Sequence, residues 1–97
     1  MNGRNERETP QIVLMTPEMA VALLEANQNN RPLNHQHVDR LANQILTGKW
    51  KFNGDTIKLS TNRDILDGQH RLWAIVEAKQ PVETAIIYDI DPDAFST

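Results

Sequence analysis

The chain has no cysteine, which excludes disulfides and thiolate–metal sites and fits a reducing cytoplasm. No apolar run approaches the roughly 20 residues of a membrane-spanning helix, so no membrane partner is expected. Met1 to Pro10 is polar and charged, without the apolar segment of a signal peptide. Histidines number three, and His35 and His37 stand two apart on a predicted helix, pointing about 200° from each other. No HxxxH pair exists and the acids are not at ligand spacing, so no metal site is expected. A Walker-type phosphate loop and a Ser/His/Asp arrangement are missing as well, and there is no internal repeat or low-complexity segment. Bases are absent beyond Val82, where Glu83, Asp89, Asp91 and Asp93 lie.

The charge that is present is unevenly spread. A net charge of −3 over 97 residues argues against non-specific nucleic-acid binding by the whole surface. Between Arg31 and Arg71, however, Arg31, Arg40, Lys49, Lys51, Lys58, Arg63 and Arg71 outnumber Asp39, Asp55, Asp64 and Asp67. A local basic patch can form there.

In chain order, residues 1–10 read as a mobile tail, and Gln11 to Met15 is a short apolar, partly β-branched strand. Thr16-Pro17 starts a helix, with the hydroxyl as cap and proline at the first helical position. That helix runs to about Asn27, with Met19, Ala20, Leu23 and Leu24 facing inward. An Asn-rich loop containing Arg31-Pro32 follows. Asn34 caps a second helix, His35 to Thr47, whose Val38, Leu41, Ala42 and Ile45 form an inward stripe, and Gly48 ends it. Trp50 and Phe52 share a face before the Asn53-Gly54 turn. They read either as packing residues or as a platform on which a base could stack. Thr56 to Ser60 alternates as a strand, with Ile57 and Leu59 inward, and a tight turn at Thr61 to Asp64 leads into a paired strand at Ile65-Leu66. After a third helix, Gln80-Pro81 breaks the pattern, and Val82 to Ile90 is apolar enough to be covered on both faces. Asp91-Pro92 opens a further helix with Phe95 as its first core residue, cut short at Thr97.

The most informative stretch is Asp64-Ile65-Leu66-Asp67-Gly68-Gln69-His70-Arg71-Leu72-Trp73-Ala74. Its strand end, turn and helix start place Asp67 as N-cap of a helix from Gln69 to Lys79, with Leu72, Ile75 and Val76 inward. Gly68 permits a tight turn and leaves no side chain in a ligand's way. A helix start offers unpaired N–H groups and the positive end of the dipole, and the fork of Arg71 makes paired bonds to phosphate oxygens. His70 can donate to a phosphate, shuttle a proton, or fix the loop by a hydrogen bond. The competing reading is an ordinary capped helix start whose Arg71 pairs with a neighbouring carboxylate. A second polar cluster (Arg31, Asn34, His35, His37 and Arg40) is either a pocket rim or a solvated helix face, and Asp55 is a rim candidate or a turn residue.

Gly68-Gln69-His70-Arg71-Leu72-Trp73-Ala74 resembles the Gly-Glu-Arg-Arg-x-x-Ala box of ParB-type domains and the Gly-Cys-His-Arg box of sulfiredoxin. With Asp67 it matches the Asp-Gly-Gln-His-Arg signature of a branch found in phage proteins and DNA-modification systems. The resemblance runs from about Gln11 to the end. It implies an α/β (α+β) domain over 11–97, interrupted at its C-terminus, with a small mixed β core flanked by three helices. In ParB-type domains the box binds the phosphates of CTP, and in sulfiredoxin that of ATP. Carried over, Asp67, Gly68, Gln69, His70 and Arg71 would hold a nucleotide or phosphate group, with Arg31, His35, Arg40 and Asp55 as rim and a nucleoside triphosphate with Mg²⁺ as the implied cofactor.

Gln69 departs from both boxes. An amide cannot be the sulfur nucleophile, which excludes sulfiredoxin chemistry, and the Glu that could assist hydrolysis is missing. The resemblance implies a cytoplasmic, DNA-related role in phage, plasmid or partition processes, with NTPase or nuclease-like activity and homo-oligomers left open. Two alternatives stand beside it: a module binding the DNA backbone through the same basic loop, and a non-catalytic protein-interaction domain.

Overall fold

The computed structural model describes residues 9–28, 31–50, 56–91 and 93. Residues 1–8 of the expected tail at 1–10, Phe52, the Asn53-Gly54 turn, Asp55 and the helix containing Pro92 and Phe95 fall outside those residues.

The apolar segment after Pro10 forms β1 (Gln11–Met15), and the chain turns at once into α1 (Pro17–Ala26). The Thr16 hydroxyl accepts from the Met19 N–H at 3.1 Å, and Pro17 occupies a first-turn position that has no amide to satisfy. Ala20, Leu23, Leu24 and Asn27 lie at i, i+3, i+4 and i+7 and are the buried or half-buried stripe of this helix. Met19 stands a helical step to one side of that stripe and is 39% exposed, which corrects its expected inward placement.

The second helix, α2 (His35–Leu46), is capped by Asn34, whose Oδ1 accepts from the His37 N–H at 3.1 Å. Val38, Ala42 and Ile45 are buried. Gly48, at φ 73°, ends it in the left-handed conformation that glycine adopts without penalty.

β2 (Thr56–Ser60) and β3 (Ile65–Asp67) then form the expected antiparallel hairpin. Ser60 organises the turn: its buried hydroxyl accepts from the N–H groups of Asn62 and Asp64, both at 3.1 Å. Lys58 stands opposite Asp67 and Leu59 opposite Ile65, so Leu66 is an extra residue on β3. This bulge explains why the successive side chains Ile65 and Leu66 are both buried.

α3 (Gln69–Ala78) carries the chain over to β4 (Val82–Ile90), which lies parallel to β2 and antiparallel to β1. The result is a mixed four-stranded sheet of order β1-β4-β2-β3 in a small α/β domain with three helices among the described residues. β4 is bulged as well, with Lys58 opposite Ile87 and Ser60 opposite Ile90, and Asp89 takes φ 60° at the extra residue.

The helices gather on the sheet face that carries Met15, Ile57, Leu59 and Ile86. Ala20, Val38, Ala42, Ile45, Leu72 and Ile75 complete one apolar cluster with them. α3 lies between α1 and α2 and touches both. Trp50 is half-buried against this cluster and its Nε1 donates to the Glu83 carbonyl at 3.3 Å, the packing alternative of the two expected for it. On the other face of β1, Ile12 and Leu14 are exposed.

Candidate functional site

The corner between β3 and α3 is built by Gly68. With φ 103° and ψ 11° it is the N-cap of α3, a correction to the expected role of Asp67. Ladder pairing opposite Lys58 keeps Asp67 extended as the last residue of β3, so the turn falls one residue later. A second reason for glycine is packing. A Cβ at residue 68 would lie 2.8 Å from Ile57 Cγ1 and 3.1 Å from Ile57 Cα. The bare glycine is therefore required by the adjacent strand, whatever it offers to a ligand. Thr16 and Asn34 cap their helices with side chains, whereas the cap of α3 supplies no side-chain acceptor.

Two clefts flank this helix start. One, of about 90 Å³, has Arg31 and Pro32 of the α1–α2 loop on one wall and Ile65, Asp67, Gly68, Gln69 and His70 on the other. The second, of about 110 Å³, is bounded by His37 and Leu41 of α2 and by Asp67, Gly68, Gln69, His70 and Arg71. Asp67, Gly68, Gln69 and His70 thus border both. Pockets for whole drug-sized ligands run from roughly 300 to 1,000 Å³. Each cleft fits a phosphate-sized group, and neither encloses a nucleoside among the described residues.

The α1–α2 loop is tied to this corner at both ends. At its start, the Gln28 N–H donates to Asp64 Oδ1 at 2.7 Å and the Ile65 N–H donates to Asn27 Oδ1 at 2.9 Å. At its finish, the Asn34 N–H donates to His70 Nε2 at 3.0 Å. A backbone amide can only donate, so Nε2 carries the lone pair and the neutral ring holds its proton on Nδ1. The His37 ring lies 5.1 Å from that of His70, tilted by 57°. Burial, and secondly the His37 charge, lower the pKa of His70 below the ordinary 6.5. Of the roles open to His70 in the sequence, the hydrogen bond that fixes the loop is the one its Nε2 performs.

The remaining rim candidates separate. Arg31 reaches the first cleft, while His35 and Arg40 are exposed and line neither. His35 is instead near a carboxyl pair between α2 and α3. There, the hydrogen bond with Asp39, then burial and the Asp39 charge, raise the pKa of Glu77 above 4.5, against a smaller opposing pull from His35. No group of three or more His, Cys, Asp or Glu among the described residues could hold a metal ion. Of the polar cluster expected as rim or solvated face, His37 lines the second cleft, joined there by Leu41 of the inward stripe, while Asn27, which anchors the loop, had no expected role in the site. His37 and Leu41 are at i+3 and i+7 from the Asn34 cap, a signal that they share the side of α2 facing its start.

Against protein-family models, curated proteins and solved structures, the chain has no match. No helix among the described residues is long and apolar enough to cross a membrane.

Proposed function

We propose that the corner at residues 67–71 binds a phosphate group of a nucleotide or other phosphate-bearing ligand, and that the chain works as a ParB-like domain in a DNA-related process. One observation carries this reading: two phosphate-sized clefts converge on the same helix start, whose Gly68 cap has no side chain, one bordered by Arg31 and the other by Arg71. Amides at a helix start and guanidinium forks are the groups that hold phosphate oxygens best. Asp67 borders both clefts and suits a ligand that arrives with Mg²⁺. The nucleoside of any nucleotide would lie outside the clefts, and the Gln69 amide favours binding or switching over hydrolysis.

The test is a thermal-shift and calorimetric comparison of wild type and Arg71→Ala with CTP, ATP, GTP and orthophosphate, each with Mg²⁺. A ligand at a hundred times its Kd stabilises by about 2.7 kcal/mol, so a shift of about 10–20 °C is expected in wild type and a smaller one in the variant. Equal responses to every ligand would remove the assignment. Because each cleft fits a single phosphate, a DNA phosphodiester is the second reading. It is selected if DNA binds with a steep salt dependence while free nucleotides do not.

A further inference from the structure

His70, one of the residues that border both clefts, also joins α3 to the end of the α1–α2 loop. His70 belongs to the first turn of α3, and its Nε2 accepts the N–H of Asn34, the residue whose side chain caps α2. A proton on Nε2 would turn this acceptor into a donor facing a donor, and the bond could not survive. It would also place a positive charge at the starts of two helices, where the dipoles disfavour it. We propose that His70 is a proton-operated latch, which closes the C-terminal end of the α1–α2 loop onto α3 when neutral and releases it when protonated.

The surroundings favour the closed, neutral form. His37 on α2 stands across from the ring, Arg31 lies on the loop side and Arg71 follows on the same helix, while Asp67 on β3 is the acid bordering both clefts. The direction of the pKa agrees, since burial and then His37 lower it. The released state therefore takes up a proton that the latched state refuses, and acid favours release. The loop's other end is fastened through Asn27 and Asp64, with no imidazole in either bond. Release therefore loosens the loop from α3 at Asn34, which stays the cap of α2, and leaves the bonds at Asn27 and Asp64 in place. Arg31 and Pro32, which precede Asn34 by three and two residues, form one wall of the smaller cleft, so the latch bears on that wall. Its use to control phosphate access rests on the phosphate-site reading above; the latch itself does not.

The experiment uses ¹⁵N-labelled full chain without ligand. The nitrogen shifts of His70 report its tautomer, and hydrogen exchange reports the protection of the Asn34 amide, corrected for intrinsic pH dependence. Expected are the Nδ1–H tautomer at about pH 7.5 and an Asn34 protection that falls about tenfold in step with His70 protonation. In His70→Gln, Oε1 accepts without titrating, so protection persists into acid. His37→Ala moves the His70 midpoint upward. An Nε2–H tautomer in wild type, Asn34 protection that ignores the titration, or equal acid loss in His70→Gln would each overturn the latch. If His70→Gln fails to fold, the wild-type tautomer and the coincidence of the two curves decide. Orthophosphate titrations at neutral and acid pH are read separately: no binding at either removes the phosphate site and leaves the latch standing.

Discussion

Replacing Gly68 by alanine puts a Cβ 2.8 Å from Ile57 Cγ1, 3.1 Å from Ile57 Cα and 3.2 Å from Ile57 Cβ, at a residue with φ 103°. Two penalties combine. An L side chain in a left-handed conformation costs on the order of 1–2 kcal/mol. Overpacking against a neighbour that cannot retreat costs about 1–3 kcal/mol more. Ile57 is fully buried on the central part of the sheet, and one of the close atoms is its backbone, so little relief is open to it. Alanine's smaller unfolded-state entropy returns about 0.4–1 kcal/mol. The net loss is roughly 1–4.5 kcal/mol, and at about 3 kcal/mol Tm falls by about 12–24 °C for a domain of this size. Urea and thermal unfolding followed by circular dichroism measure it directly. Two further variants separate the causes. Gly68→Asn tolerates the dihedral better but keeps the collision, so it recovers only part of the loss. In an Ile57→Ala background the Cγ1 collision is gone, and Gly68→Ala should cost about 1 kcal/mol less than in wild type. A Gly68→Ala protein within about 0.5 kcal/mol of wild type, the ordinary range of a surface substitution, would refute the close-approach argument.

Two other outcomes are expected. Lys79 caps α3 at φ 59° and is exposed, so Lys79→Gly should stabilise by about 0.5–1 kcal/mol in denaturant titration; a loss of stability would show that the lysine side chain contributes more than its dihedral costs. Glu77 and Asp39 repel when both are ionised. Because the Glu77 pKa is raised, the stability it contributes is full below 4.5 and lost as pH rises through the raised value. Glu77→Gln should therefore raise Tm at neutral pH, with the difference fading in acid, and a difference constant across pH would rule out the carboxyl pair as its source.

Which of these features a sequence can disclose depends on the span of the interaction. The caps at Thr16 and Asn34 and the stop at Gly48 are made by residues within a turn of the helix they bound, and all three are legible from residue type and spacing. The hairpin was legible because alternation at Ile57 and Leu59 meets a short turn. Asp67 was assigned to the helix because a carboxylate before Gly-Gln-His suits a cap. The strand ladder opposite Lys58, a partner nine residues earlier, decided otherwise. The bulge at Leu66 lies in a strand of three residues, too short to show an alternation, and that at Asp89 lies between Tyr88 and Ile90, so neither is marked in the apolar pattern. The corner's location was readable in Asp67 to Arg71, but its anchorage was not. The bonds from Gln28 to Asp64 and from Asn34 to His70 each cross 36 residues, and that from Ile65 to Asn27 crosses 38. No local preference foretells such pairs; they exist because the fold brings one loop over one strand end.

The sheet order has a consequence for how the protein comes into being. β1 and β2 never meet: β1 is joined to the β2–β3 hairpin only through β4, the last strand in chain order among the described residues. While Val82 to Ile90 is still inside the ribosome, the nascent chain has a hairpin and three helices but no partner for its opening strand. The pairing of β1 with the rest of the sheet therefore waits for β4, which supplies an edge to each of its neighbours.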